Sequence, residues 1–429
     1  MILKKLTGRH ILSVLALIAL AALIILPLVS FADGEDTPAE SEASPAAEDS
    51  LPESEADKNA DIFDIPPATG VLSRPALQQA EKDTVDVGLS YGRGAYRHIT
   101  FTAAEDSMLS HGGDVYKELT FTWEDGVMYR DGVPCQKAYV RSSAPITLSN
   151  TGWSYEGVMI LTCGQYGITL VNRVPLENYV KGVMSGEIGE DGSYESRKAF
   201  SVICRSLVFV ARDHGEEFDL CSKNCCQSYR GTFHRNELND KAVDETAGMV
   251  LTYNGVPCLV AYSSSHGYNS CSSFAAWVGA DIPYLRVVRY DNEPLDYGGQ
   301  WEVTYTYEQL SARLKYYTTT GIVRSVSVAE TDPYGSTYVY RLKVVDSAGK
   351  ESEVMYGGNI MAVLGVRCAN FTIEQISGGI TIHGIGNGHG VGYSQRGGHQ
   401  MGLEGYKWEQ ILSFYFPGTT LAPCGEFLE

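Results

Sequence analysis

Basic residues are scarce in this 429-residue chain: 33 Lys and Arg stand against 52 Asp and Glu, for a formal net charge of −19. A surface of that sign repels a phosphate backbone wherever it is not locally reversed, so no nucleic acid is expected as a ligand. Long apolar runs are nearly absent too. The single one, Ile11 to Phe31, is broken only by Ser13, Pro27 and Ser30, which excludes a multispan membrane protein. Ten cysteines are few for this length, so the fold does not rest on disulfides as a small scaffold would. The phosphate-cradling pattern G-x-x-x-x-G-K-S/T does not occur, and the one glycine-dense stretch lacks both the dinucleotide spacing and a βαβ setting. No organic cofactor is expected.

What is present begins with an asymmetry of charge. Lys4, Lys5 and Arg9 precede the apolar run, and bases in that position stay on the cytoplasmic side, placing the body outside the cytoplasm. The run is longer than the roughly 7 to 15 residues of a cleavable signal core and close to the roughly 20 of a spanning helix. Residues 1–32 therefore read as an N-terminal membrane anchor, with secretion after cleavage near Ala32 as the alternative. Asp33 to Asp64 holds twelve acids and one base among Ser, Pro and Ala. So little apolar surface cannot offset the ordering entropy, and residues 33–65 read as a disordered tether. The folded body is then 66–429.

Within the body, Thr84 to Val171 shows short alternating runs separated by Gly-bearing turns, the pattern of antiparallel strands. GVMYRDGVPC, ending at Cys135, and GMVLTYNGVPC, ending at Cys258, read as two hairpins with similar turn chemistry. Two helices follow, at about 175–187 from Pro175 and at Tyr194 to about Asp213. Strands return from about 295 to 383 around an amphipathic helix near Tyr307 to Leu314. A Gly-dense loop and a helix from Lys407 to Tyr415 close the pattern. Helices and antiparallel strands without a βαβ rhythm make an α+β fold.

Three features bear chemistry. Leu176, Tyr179, Val180, Val183, Met184 and Glu187 share one helix face, so Glu187 points along an apolar face at the negative end of the helix dipole. Both effects raise a carboxyl pKa, as a general acid near neutral pH requires; a solvated helix end flanked by Gly186 and Gly189 is the other reading. In GIGNGHGVGYSQRGG, Gly384 to Gly398, alternate glycines strip one face of an extended segment, so that a ligand or another backbone can approach. His389, Ser394 and Gln395 would supply polar contacts there. His214, Cys221, Cys225 and Cys226 offer four zinc ligands within thirteen residues, and disulfides fit the same cysteines. Ser263, Ser264, Ser265 and His266 give no supportable Ser-His-Asp order and read as a polar loop. The 27 Tyr and 5 Trp could stack on sugars, most of them serving the core and strands.

The runs VPLENYVKGVMSGEIG and RKAFSVICRSLVFVARDHG, followed by FDLCSKNCCQSYRG, AYSSSHGYNS, IPYLR and GHGVGYSQRGG, resemble in content and order the stage II sporulation protein D and amidase-enhancer family, over about Val85 to Thr420. The resemblance implies a glycan-binding cleft and a lytic transglycosylase that cuts peptidoglycan glycan strands, stripped of stem peptides, to 1,6-anhydro ends. Glu187 matches the catalytic glutamate. Arg205, His389, Ser394 and Gln395 match positions expected along the glycan groove, and Ser265, His266 and Gly390 are assigned to the same substrate contacts. A structural zinc at His214, Cys221, Cys225 and Cys226 is implied as a variant of a Cys/His site, with Cys225 where a His is expected. The loop SSSHGYNS and the segment GEDGSYES also depart from the family's wording. A non-catalytic glycan-binding activator of a cell-wall amidase is the competing function, and such an amidase in a membrane-associated complex is the partner the anchor and the resemblance suggest.

Overall fold

Three Asp-Gly or Asn-Gly pairs set the first local geometry. Asp125-Gly126, Asp131-Gly132 and Asn254-Gly255 all adopt positive φ at both positions, which the two-residue hairpin turn matching strand twist demands. They join Glu118–Glu124 to Val127–Arg130, Val127–Arg130 to Val133–Cys135, and Met249–Tyr253 to Val256–Pro257. Both hairpins read from the sequence are therefore formed. The computed structural model describes residues 84–188, 192–210, 217–223, 226–295 and 299–427. The expected anchor and tether, and the ligand candidates His214 and Cys225, lie outside these. Among the described residues no helix is long and apolar enough to cross a membrane.

The first part of the body is two antiparallel sheets. One has seven strands, in the order Leu220–Cys221, Thr84–Ser90, Ile168–Pro175, Val158–Cys163, Lys137–Arg141, Leu109–His111 and Asp114–Tyr116; only the edge pairing of Leu220–Cys221 with Thr84–Ser90 is parallel. The other has six, in the order Ser154–Tyr155, Ile146–Leu148, His98–Ala103, Glu118–Glu124, Val127–Arg130 and Val133–Cys135. Alternate residues such as Leu119 and Phe121, or Ala138 and Val140, are fully buried, so each sheet contributes one face to a continuous core.

Strand Ile168–Pro175 runs directly into α1, Leu176–Glu187, with Pro175 ending the strand at φ −53° and ψ 141°. The apolar stripe read from the sequence is buried at Leu176, Tyr179, Val180, Val183 and Met184. α2, Tyr194–Val208, ends five residues earlier than its pattern implied, because the chain tightens after Ser206 and Phe209 N–H bonds the Ser206 carbonyl. α3, Glu237–Glu245, is capped by the Asn236 side chain. α1, α3, two C-terminal helices and strand Met249–Tyr253 all pack on α2.

Beyond α4, Ser273–Ala276, two further antiparallel sheets form: Gln300–Thr306 with Gly379–Ile385 and Phe371–Ile376, and Val323–Thr331 with Val339–Asp346 and Glu351–Met355. They carry α5, Tyr307–Arg313, opened by a Thr306/Gln309 capping box, and α6, Gly357–Leu364. α7, Gln395–Leu403, and α8, Trp408–Tyr415, complete the eight helices among the described residues. The fold is α+β with mostly antiparallel sheets, as the alternation of patterns implied.

One ionic contact fixes α2 to α1. Arg205 is fully buried; its Nε and Nη2 fork the Glu177 carboxylate at 2.9 and 2.6 Å, and Nη1 donates to the Met249 carbonyl at 3.0 Å. Removing Arg205 leaves the partly buried Glu177 carboxylate and the Met249 carbonyl without this donor, and a void where the guanidinium packed. Arg205→Ala should lower unfolding stability by roughly 2–3 kcal/mol in urea titration, and Arg205→Lys, which cannot make the planar fork, should recover only part of it.

Candidate active site

Glu187 ends α1 where three segments converge. The backbone of 227–229 lies so close to α1 that a Cβ on Gly186 would collide with the Ser228 carbonyl, and one on Gly182 with the Tyr229 ring. Glycine at these two positions is what lets the segment approach. Ser228 N–H then donates to Glu187 Oε1 at 2.6 Å. Burial pushes the Glu187 carboxyl above its ordinary range, opposed by the Ser228 N–H, by a hydrogen bond from the Tyr262 phenol and by the Arg230 charge. The helix end is thus held in place against the 227–229 segment.

The carboxyl opens onto a cavity of about 810 Å³ lined also by Ser196 and Phe200 of α2, Ser264, Pro294, Tyr393, and Gln395, Arg396, His399 and Gln400 of α7. Glu187 is the one carboxylate among the described lining residues. His399 presents a buried Nδ1 with no hydrogen-bond partner at this wall. Its carbonyl accepts from Ser193 Oγ at 3.0 Å, tying α7 to the start of α2.

α7 was not legible in the sequence, where its three glycines read as loop. Each glycine answers a contact. A Cβ on Gly397 would meet the Tyr415 hydroxyl, one on Gly398 the Tyr393 ring, and one on Gly402 the Ser193 hydroxyl. The preceding loop also differs from expectation. Gly386, Gly388, Gly390 and Gly392 have φ between 76° and 101°, so the segment is left-handed at every second residue and not extended. Their open sides face the protein: Ser265 O lies 3.0 Å from a Cβ position at Gly386, Ser263 Cβ 2.9 Å from that at Gly388, and the Tyr338 ring and Ala261 carbonyl close on Gly390 and Gly392. Another backbone, the 261–266 segment, is what approaches; Tyr262 and Ser263 pair in parallel with Tyr393 and Ser394.

The buried carboxylate of Glu293, which the sequence gave no reason to single out, organises this junction. It is 3% exposed; Oε1 accepts from Ser265 Oγ at 2.6 Å, His266 N–H at 2.7 Å and Gly267 N–H at 3.4 Å, and Ser394 Oγ also donates to the carboxylate. Ser265, His266 and Ser394 therefore support the cavity wall from behind. His266 is buried and its ring is pushed down to about 3 by desolvation and by His389; His389, beside Trp277, is pushed down to about 4 by burial. Both imidazoles are neutral at pH 7. Of the residues assigned to substrate contact, Gln395 lines the cavity with Glu187. His389 and Gly390 do not, and Arg205 is committed to Glu177. Cys221 and Cys226 are brought together, the Cys221 N–H donating to Cys226 Sγ at 3.4 Å. Among the described residues no group of three or more potential metal ligands forms.

The family model described as Stage II sporulation protein, SpoIID, matches residues 165–253, the segment that carries α1, α2 and the Ser228 clamp. A stage II sporulation protein D of Bacillus subtilis is 29% identical over 278 residues, covering 60% of this chain and 77% of that protein. An amidase enhancer of Bacillus subtilis is 28% identical over 290 residues, 56% of this chain and 40% of its own. An uncharacterised protein of Brachyspira hyodysenteriae is 27% identical over 276 residues, covering 63% and 73%.

Glu293 yields a direct test of this wall. Glu293→Ala leaves buried donors at Ser265, His266 and Ser394 without an acceptor, and should cost about 3 kcal/mol or more in chemical denaturation. Glu293→Gln, which keeps one acceptor oxygen, should cost less.

Proposed function

Because the chain belongs to the stage II sporulation protein D family, we propose that it is a lytic transglycosylase acting on peptidoglycan glycan strands freed of stem peptides, with Glu187 as its single acid and base. The observation that carries the reading is a carboxyl raised by burial, the one carboxyl among the described lining residues of an 810 Å³ cavity. Protonated Glu187 would give its proton to the glycosidic oxygen as the bond to C1 breaks. The carboxylate would then take the proton of the sugar's own C6 hydroxyl as that oxygen closes on C1. The product is a 1,6-anhydro ring, no water is consumed, and Glu187 ends protonated. One carboxyl suffices, whereas most glycoside hydrolases need two. Ser228 N–H and the Tyr262 hydroxyl would steady the carboxylate between the two proton transfers.

The acid form must be present at the start, so activity falls as pH rises through the Glu187 pKa. With that pKa raised, the alkaline limb of the profile should lie above the ordinary carboxylate range. Glu187→Gln should lower turnover by roughly 10²- to 10⁴-fold, read as loss of anhydro ends by mass spectrometry of peptide-free strands.

A second reading follows from the relative named amidase enhancer: a glycan-holding activator of a cell-wall amidase. Full stimulation of such an amidase by Glu187→Gln, with no anhydro ends from the unaltered protein, would favour it. Export with retention by the N-terminal segment belongs to either version. So does a structural zinc at Cys221, Cys225, Cys226 and His214, of which Cys226 Sγ accepts the Cys221 N–H at 3.4 Å. Such an ion would brace the turn that delivers Ser228. One zinc per chain by elemental analysis, and a lower melting temperature after chelation, are the expected results.

A further inference from the structure

A second concavity, of about 740 Å³, lies between the sheet of Gln300–Thr306, Gly379–Ile385 and Phe371–Ile376 and the segment that follows Gly267. It shares no lining residue with the cavity at Glu187. Its floor is aromatic. Trp301 lies across Gly384, where any Cβ would enter the indole, and meets Phe371 edge-on at 6.4 Å between centroids. The indole N–H is fixed on the Gly386 carbonyl at 3.1 Å. One wall is a relay of neutral polar groups: Asn269 Nδ2 donates to Thr337 Oγ1 at 3.4 Å, and Thr337 Oγ1 to Asn370 Oδ1 at 2.8 Å. At the wall's edge Tyr268 holds φ +80°, a conformation costly for a bulky side chain and characteristic of functional surfaces. His383 lies between Glu302 and Glu374, at 2.9 and 3.1 Å.

We propose that this concavity is a second saccharide site, taking neutral sugar units of the same glycan whose cleavage is proposed at Glu187; it rests on that reading. A fixed aromatic floor offers a surface for the C–H face of a sugar ring, and amide and hydroxyl groups on one wall match its hydroxyl and acetamido groups. Among the described lining residues there is no Lys or Arg that would point instead to a phosphate. The two sites share a rigid partition. The N–H groups of His266 and Gly267 are held by Glu293 on the first side, and their carbonyls accept from Asn370 Nδ2, at 3.2 and 3.4 Å, on the other. Ser264 lines one site and Asn269 the other, so their Cα atoms are at most about 18 Å apart. A strand held at the second site is thereby kept within reach of the first.

The test uses the whole chain carrying Glu187→Gln, titrated with tetra-N-acetylchitotetraose by calorimetry. Two saccharides per protein are expected. Trp301→Leu should remove one of them, and so should Thr372→Leu, an exposed strand position at the mouth whose change leaves the core untouched. Each variant, with Glu187 restored, should still produce anhydro ends from short strands, while its affinity for long peptide-free strands falls roughly tenfold. Unchanged stoichiometry and unchanged strand affinity in both variants would overturn the second site. Two-site binding without anhydro ends from the unaltered protein would instead overturn the transglycosylase reading and leave the second site standing.

Discussion

The architecture around the cavity depends on one buried carboxylate. Glu293 sits in an irregular loop, yet it gathers Ser265 and the His266 and Gly267 amides from one segment and Ser394 from another more than a hundred residues on. An ionised group is costly inside a protein unless its lone pairs are used. Here several donors use them, and the geometry they accept fixes where α7 begins. Ser394 serves twice, because its hydroxyl oxygen also caps α7 by accepting the Gly397 N–H at 3.1 Å. Gln395, Arg396, His399 and Gln400 reach the cavity because this junction aims their helix.

Glycine plays the complementary part. The close approach that the alternate glycines permit, by a ligand or by another backbone, is made by the protein's own atoms, and α1 uses glycine in the same way. At Gly182 and Gly186 the filling segment is the one that brings Ser228 to Glu187; along Gly386 to Gly392 it is the strand bearing Tyr262. Both main partners of the Glu187 carboxyl are delivered by backbone-on-backbone contacts that a single methyl group would prevent. Site chemistry and chain packing are here the same requirement.

How much of this was legible in the sequence follows from the range of each interaction. The face of α1 and the position of Glu187 could be read because a 3.6-residue period is local, and the hairpins because Asp-Gly and Asn-Gly turns are local. Glu293 could not, since it has no periodic setting and its partners are 26 or more residues distant. α7 was hidden because glycine has poor intrinsic helix propensity, and only the tertiary contacts explain three of them in one helix. Arg205 has the apolar neighbours Val202, Ile203 and Leu207 in the chain, a local sign of an interior position. Its partner Glu177 lies 28 residues earlier, and resemblance alone had sent it to the groove.

The parallel pairing of Tyr262 and Ser263 with Tyr393 and Ser394 spans about 130 residues of chain. Contacts so far apart in sequence carry a large loop-closure cost and form slowly, whereas the two-residue hairpins at Asp125-Gly126 and Asp131-Gly132 are close-range and fast. During vectorial synthesis these hairpins can therefore form while Glu187 still lacks its Tyr262 partner and the opposing wall. The cavity is complete only once α7 has docked, so a polypeptide interrupted before it lacks the wall that bears Gln395, Arg396, His399 and Gln400.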